Sequence, residues 1–267
     1  MLYVCIPSFD EAPTVGVLLW RLRNVFQEYT REYEVLVYDD ASTDATREVL
    51  APYAQVMPLT VLGGPTRVGY ARAVDALLRE ASRRTGYPRR DAVLLLQADF
   101  TDQPEGIPEL VKRFEGGADV VVAEREVPPE APESIRKLHD LVRWLPRVWP
   151  IRRMVTVPGV RDPFGTYRLM RITVVRDLLQ VAGEGPASTA TDPWQANLEY
   201  LQAAAPHARR LETVPLPVRF DVRERESRRD PWPDAWGLAK AAWAARGRPT
   251  PRPAPRPSTR PAPRPSA

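Results

Sequence analysis

Residues 93–96 (Val-Leu-Leu-Leu) form an apolar run that stops abruptly at Gln97, after which Asp99, Thr101 and Asp102 lead to Pro104 and a new helical pattern. A short strand with no polar face must be covered by helices on both sides, as a central strand of a parallel sheet is. Open α/β sheets bind ligands at the carboxyl ends of such strands. This run therefore predicts an α/β protein with an oxygen-rich site just after residue 96, suited to a metal–phosphate ligand.

The flanking chain repeats the unit. Residues 2–6 are apolar and stopped by Pro7, and Val15, Leu18, Leu19, Leu22 and Phe26 then recur at helical spacing. Pro7, Ser8, Phe9, Asp10 and Glu11 fall in the loop between them. Residues 34–38 predict a second strand, followed by Asp39-Asp40-Ala41-Ser42-Thr43-Asp44. Ser42, Thr43 and Asp44 suit helix N-caps, whereas Asp39 and Asp40 precede the cap and can point into the site. A weaker strand is expected over 56–62, a helix from Ala71 to near Gly86, another over 104–114, and a strand over 120–123 closed by Glu124 and Arg125. Strands alternating with helices imply βαβ units and a mainly parallel sheet. Right-handed crossovers bring all of these loops to one edge.

Beyond residue 126 the pattern loosens. Pro128, Pro129 and Pro132 mark a linker, and residues 138–154 mix Trp144 and Trp149 with four arginines, which suits either packing or a helix lying on an anionic membrane. Residues 162–168 (DPFGTYR) lead into a helical pattern to about 179. A second helical segment, with Asp192, Trp194, Gln195 and Glu199, ends near Ala205. Residues 214–222 read as a proline-punctuated edge strand. The expected organisation is one catalytic-sized domain over 1–230, an amphipathic helix over 231–247 and a disordered Pro-Arg repeat over 248–267.

Charge and cysteine content exclude several classes. The chain carries a net +4, but the repeat from Arg248 holds five arginines and no acid, which leaves −1 on residues 1–247. No basic face is implied for the folded body, and nucleic acid is not an expected partner. Cys5 is the single cysteine, so neither a disulfide framework nor a cysteine-rich zinc site can form, and its place in an apolar strand predicts packing. The glycines of residues 63–69 could bring backbone N–H groups to a phosphate. Their spacing matches neither the dinucleotide fingerprint nor a P-loop, which disfavours a nicotinamide dehydrogenase or P-loop kinase. No apolar run approaches the roughly 20 residues that span a bilayer. The expected location is cytoplasmic, with peripheral attachment at the inner face of a membrane as an extension.

Six motifs occur in order: IPSFDEAPTV, YEVLVYDDASTDAT, VLLLQADFTDQPE, DVVVAER, DPFGTYRLMR and LETVPLPVRF. Together they resemble the family-2 glycosyltransferases of GT-A fold, and most of all the polyprenyl-phosphate hexosyltransferases, over residues 1 to about 228. The resemblance implies an inverting, metal-assisted transfer of a hexose from a nucleotide-diphospho-sugar to a polyprenyl phosphate or another membrane-associated acceptor. A transferase acting on a soluble hydroxyl, and a degenerate relative that binds sugar nucleotide without turnover, are the alternatives.

Position by position, the resemblance implies that Pro7, Phe9, Glu11, Asp39 and Asp40 hold the base and ribose. Gln97-Ala98-Asp99 falls on the family's Asp-x-Asp, whose carboxylates hold Mg²⁺ or Mn²⁺ on the diphosphate. Arg125, Asp162 and Arg168 match catalytic positions, and Arg125, Arg168, Arg223, Ser227 and Arg228 match the acceptor side. Gln195 and Glu199 fit the helix that follows. Two departures stand out: Gln97 replaces the first Asp of the motif, and Thr101 replaces a Gln. A neutral amide oxygen can ligate a hard cation but takes one negative charge out of the site. Asp102 either supplies the missing carboxylate or begins the next helix. Residues 223–228 are one residue shorter than the family pattern and lack its glycine.

Overall fold

The computed structural model describes residues 1–126 and 156–217, together with the single residues 133, 136, 137, 140 and 144. The expected interfacial segment over 138–154, apart from Asp140 and Trp144, lies outside the described residues, as do Arg223, Ser227, Arg228, the 231–247 helix and the Pro-Arg repeat.

The chain alternates as its periodicity predicts. Strand β1 (Leu2–Ser8) leads to α1 (Ala12–Glu28), β2 (Tyr33–Asp39) to α2 (Thr46–Val56), β3 (Leu59–Leu62) to α3 (Tyr70–Arg84), and β4 (Ala92–Leu95) to α4 (Ile107–Glu115). A 3₁₀ turn at Pro104–Gly106 precedes α4. Then come β5 (Val120–Glu126), β6 (Arg168–Arg171), α5 (Ile172–Ala182), α6 (Pro193–Ala204) and β7 (Leu211–Pro217).

The seven strands form one sheet in the order β3-β2-β1-β4-β6-β5-β7. All run parallel except β6, which is antiparallel to both β4 and β5. The fold is thus α/β with a mainly parallel central sheet flanked by helices. Its strands separate two cores. Val4, Ile6, Val35, Val37, Leu94 and Val121 pack against α1, α2 and α4. Cys5, Leu36, Val93, Leu95, Val122 and Met170 pack against α3, α5 and α6. Residues of β4 alternate between the two, and every residue from Ala92 to Leu96 is 0% exposed, so both faces of this strand are covered. Cys5 is equally buried in the second core, and its thiol pKa is pushed up by burial.

Strands β1 and β5 run two and three residues past their expected ends, and three further differences have physical reasons. The strand expected from Val56 begins at Leu59, because Val56 closes α2. Pro58 disfavours helical geometry in the residue before it, and Met57 is extended there (φ −149°, ψ 159°). Strand β6 was not expected at all: its four residues RLMR carry an arginine at each end and no apolar run. The edge strand is β7, which begins at Leu211 rather than 214; residues 218–222 fall outside the described residues.

Gly63 couples the sheet to its ligand edge. It has φ +115°, and a Cβ placed there would overlap the backbone carbonyl of Asp39. Gly63→Ala is expected to lower stability by about 2–4 kcal/mol through combined strain and overlap. Chemical denaturation checks this; a loss below about 0.5 kcal/mol would show that the turn can shift freely.

Candidate functional site

Carboxyl ends of β1, β2 and β4 converge, and the three non-glycine residues with positive φ among the described residues all sit there: Asp10 (50°), Ala41 (57°) and Phe100 (62°). Such backbone costs energy and persists only where surroundings enforce it, which is common at ligand sites.

The first two loops hold each other. Asp10 Oδ1 accepts from the Thr43 amide at 2.6 Å, and Ser42 Oγ accepts from the Asp10 amide at 2.9 Å. Thr46 Oγ1 accepts from the Glu11 amide, and Asp44 Oδ2 from that of Ala12. The expectation that Ser42, Thr43 and Asp44 serve as N-caps is therefore corrected for Ser42 and Thr43, while Asp44, one residue before the cap position, takes up the first amide of α2 as well as that of Ala12. The cap position belongs to Ala45, which has no side-chain acceptor, and the polar run is spent on clamping loop to loop. Asp44 also accepts from the Thr46 amide. Burial would raise its pKa, but bonds from Thr46 and Ala12 outweigh that and lower it.

Asp39 and Asp40 are buried beside this clamp. Asp39 Oδ1 accepts from the Ser42 amide, and Arg47 lies 3.7 Å from Oδ2. Asp40 Oδ1 accepts from Val68 N at 2.6 Å, and its Oδ2 from Gly69 N at 3.0 Å. The N–H groups of the glycine-rich turn thus face a carboxylate, which corrects the suggestion that they approach a phosphate. Arg67 bridges the two loops, 3.6 Å from Asp40 Oδ2 and 3.7 Å above the Phe9 ring. Sequence reasoning missed Arg67, since one arginine in a turn gives no periodic signal. Pro7 lies inside β1, Glu11 accepts from Thr14 Oγ1 at 3.0 Å, and both flank this corner.

The β4 corner gathers oxygens. Asp99 Oδ1 accepts from the Thr101 amide at 3.0 Å, so Thr101 braces the aspartate. Asp102 Oδ2 accepts from the Gln97 amide at 3.3 Å, which folds the loop back on the strand end. Gln97 Nε2 donates to Thr166 Oγ1 at 2.7 Å, and Ala98 is buried beneath. Asp102 precedes the 3₁₀ turn, whose cap position is Gln103, and it lines the cleft. Among the described residues no group of three His, Cys, Asp or Glu side chains could hold a metal alone. One carboxylate with a neutral oxygen still suits Mg²⁺ or Mn²⁺ where substrate phosphates complete the shell.

Arg125 stands opposite. Its Nε donates to Asp162 Oδ2 at 2.8 Å, with Nη2 at 2.7 Å from the same oxygen. Asp162 Oδ1 accepts from Phe164 N. Burial alone would lower the Arg125 pKa; Asp162, with Asp102 and Asp99 further off, raises it, so it is a permanent cation. It lies in the wall between two cavities of about 300 and 310 Å³. The first is lined by Arg21, Asp102, Tyr167 and Leu216, the second by Glu124, Arg161 and Thr213.

Arg168, expected to grip an acceptor, is instead completely buried. Its guanidinium donates to the carbonyls of Gly165, Thr166 and Asn197. It holds the 162–167 loop against α6, because β6 lies between β4 and β5 and turns it inward. Gln195 and Glu199 also lie on α6 and bond to one another at 2.8 Å. Asn197, two residues from each and so on another face of the helix, joins Tyr70, Thr166 and Gln97 in a largely buried polar cluster that no local pattern reveals.

The comparisons agree with this fold. A family model described as "Glycosyl transferase family 2" matches residues 3–179. A bactoprenol glucosyl transferase of Shigella phage SfV is 28% identical over 174 residues, 65% of this chain and 52% of that protein. A dolichol-phosphate mannosyltransferase of Pyrococcus furiosus is 30% identical over 124 residues, 46% of this chain and 33% of that one. The chain spans about half the length of the bactoprenol relative it matches. In structure it resembles Mycobacterium tuberculosis glucosyl-3-phosphoglycerate synthase in complex with Mn²⁺, UDP and glucosyl-3-phosphoglycerate, at TM-score 0.58 and 17% identity over 91% of this chain and 77% of that one. It also resembles S. aureus TarS with UDP-GlcNAc, at TM-score 0.53 and 16% identity over 91% and 65%.

Asp162→Asn leaves Arg125 without its buried counter-charge. The expected loss is about 1–2 kcal/mol, less than for a fully buried pair deprived of one partner because the Arg125 side chain is 22% exposed, read by denaturant unfolding. Unchanged stability would show that solvent already screens the pair.

Proposed function

The chain belongs to glycosyl transferase family 2, and from that premise we propose that it moves a hexose from a nucleotide-diphospho-sugar to a polyprenyl phosphate, with inversion at the anomeric carbon. The observation that carries the acceptor choice is the Arg125–Asp162 pair. A hydroxyl acceptor would need a base, and Asp162, the acid at a position that matches a catalytic one, is 2% exposed and bonded to a guanidinium and a backbone amide. A group so engaged serves to aim Arg125. A phosphate acceptor is already an anionic nucleophile and needs no base, whereas a sugar hydroxyl does.

In this reading Pro7, Phe9, Glu11, Asp39 and Asp40 hold the base and ribose, with Arg67 closing over Phe9. Asp99, helped by Gln97 and Asp102, would hold a divalent cation on the diphosphate; when bound, Mg²⁺ or Mn²⁺ neutralises the leaving group as a Lewis acid. That the Mycobacterium tuberculosis synthase was captured with Mn²⁺ and UDP supports this assignment. Arg125 lies within electrostatic reach of Asp99 and Asp102 and offers a planar fork to phosphate oxygens, so it is assigned the acceptor phosphate. Arg223, Ser227 and Arg228 are assigned to the same side by their motif alone. The partly apolar cleft beside Arg125, with Leu216 and Tyr167, suits the first carbons of a lipid.

A lipid acceptor places the protein at a membrane surface, although no described helix is long and apolar enough to cross one. The five arginines of the tail would add about 1 kcal/mol each of attraction near an anionic leaflet. The test is turnover. Purified protein is given UDP- and GDP-hexoses with Mn²⁺ or Mg²⁺ and a short polyprenyl phosphate, and nucleoside diphosphate release is followed. Release that needs the lipid phosphate is expected, and Asp99→Ala should slow it by about a hundredfold or more, since the cation is worth several kcal/mol. Release only with a soluble hydroxyl acceptor would replace the lipid reading, and donor binding with no release would mark a degenerate transferase.

A further inference from the structure

We infer that Thr166 is a positioning residue for Gln97, fixing its amide so that nitrogen faces the protein and the carbonyl oxygen is presented to the diphosphate corner. The inference rests on the nucleotide-sugar reading above and goes beyond it by explaining how a neutral residue can serve where the family has an aspartate.

The argument starts from a group whose role cannot change. The Phe164 carbonyl only accepts, and Asn197 Nδ2 donates to it at 3.1 Å. The same Nδ2 donates to Thr166 Oγ1 at 2.8 Å. Asn197 Oδ1 therefore faces the other way, where it accepts from the Tyr70 hydroxyl at 2.8 Å. Tyr70 has one hydroxyl hydrogen, and it is spent there. In the 3.1 Å contact between Tyr70 and Thr166 the donor must then be Thr166. Its one hydrogen is now also spent, so toward Gln97, 2.7 Å away, Thr166 can only accept. Gln97 has to turn its NH₂ to Thr166 and its Oε1 away. Burial makes the chain of choices binding: Thr166 is 2% and Asn197 1% exposed, where a mismatched donor or acceptor is costly.

The same logic explains why an acid is not simply better here. A carboxylate at position 97 would set lone pairs against a hydroxyl oxygen whose hydrogen is committed to Tyr70. The neutral Gln97 and the Tyr70–Thr166–Asn197 ring are matched parts. Ligand-orienting partners of this kind typically change metal affinity by about 10–100-fold when removed.

The probe is Mn²⁺ binding in the presence of UDP or GDP, whichever binds more tightly, read by loss of the free Mn²⁺ electron paramagnetic resonance signal. Thr166→Val is expected to weaken binding about tenfold, and Thr166→Ser to retain it. Gln97→Ala should weaken it similarly, and in that background Thr166→Val should add nothing, because contacts acting through one residue are not additive. Gln97→Glu should fail to tighten binding despite its added charge. Should Thr166→Val not fold, Tyr70→Phe, which releases the Thr166 hydrogen, is read in its place and should weaken binding several-fold. Wild-type binding in the Thr166 or Tyr70 variant, an equal further loss in the Gln97→Ala background, or tighter binding by Gln97→Glu would each overturn the inference. Wild-type protein that binds nucleotide but no Mn²⁺ would overturn it while leaving donor recognition standing. Wild type that binds neither would overturn the parent reading as well.

Discussion

Everything at the ligand edge depends on β4 being buried on both faces. From Ala92 to Leu96 no side chain reaches solvent, and helices on either side seal the strand. Burying that much apolar surface is strongly favourable, at about 25 cal/mol per Å², and it leaves no freedom in where the strand ends. The first polar residues, Gln97 and Asp99, must emerge at its carboxyl end beside the ends of β1 and β2. The strained backbone at Asp10, Ala41 and Phe100 is then held by a scaffold too rigid to relax it.

Two kinds of polar bracing act on this frame. At the ends of β1 and β2, the two loops exchange four side-chain-to-amide bonds, and Asp40 draws in the turn before α3. Beside β5, a single buried aspartate aims one arginine, while another arginine is wholly consumed in holding the loop between them. The contrast between Arg125 and Arg168 is instructive. Both guanidinium groups were candidates for phosphate, but a group already bonded to three carbonyls and sealed from solvent has no route to a ligand. Burial lowers its pKa to about 10, yet leaves it charged at neutral pH.

The strands and helices of the first half were legible because each unit has a period: two-sided burial writes an unbroken apolar run, and a half-buried helix writes a stripe. The carboxyl edge of the sheet was legible for the same reason, since it lies wherever those runs stop. What could not be read are features made by partners distant in sequence. Strand β6 has no apolar run and exists because β4 and β5 leave a gap for it. The clamp between residues 10–12 and 42–46, and the ring of Tyr70, Gln97, Thr166 and Asn197, join segments from about thirty to over a hundred residues apart. The helix-cap reading of Ser42 and Thr43 failed on this point: capping chemistry and loop-bridging chemistry use the same side chains.

The central claim is that Asp99 and Gln97 present oxygens to a cation carried on a sugar-nucleotide diphosphate. Its most direct measurement is anomalous scattering from crystals grown with Mn²⁺ and the donor that binds best. The account predicts one strong peak within about 2.5 Å of Asp99, a range usual for oxygen ligands to hard cations, bridged to the diphosphate and with Gln97 Oε1 turned toward it. An ordered diphosphate with no peak at Asp99, or a peak met by the Gln97 nitrogen side, would contradict it.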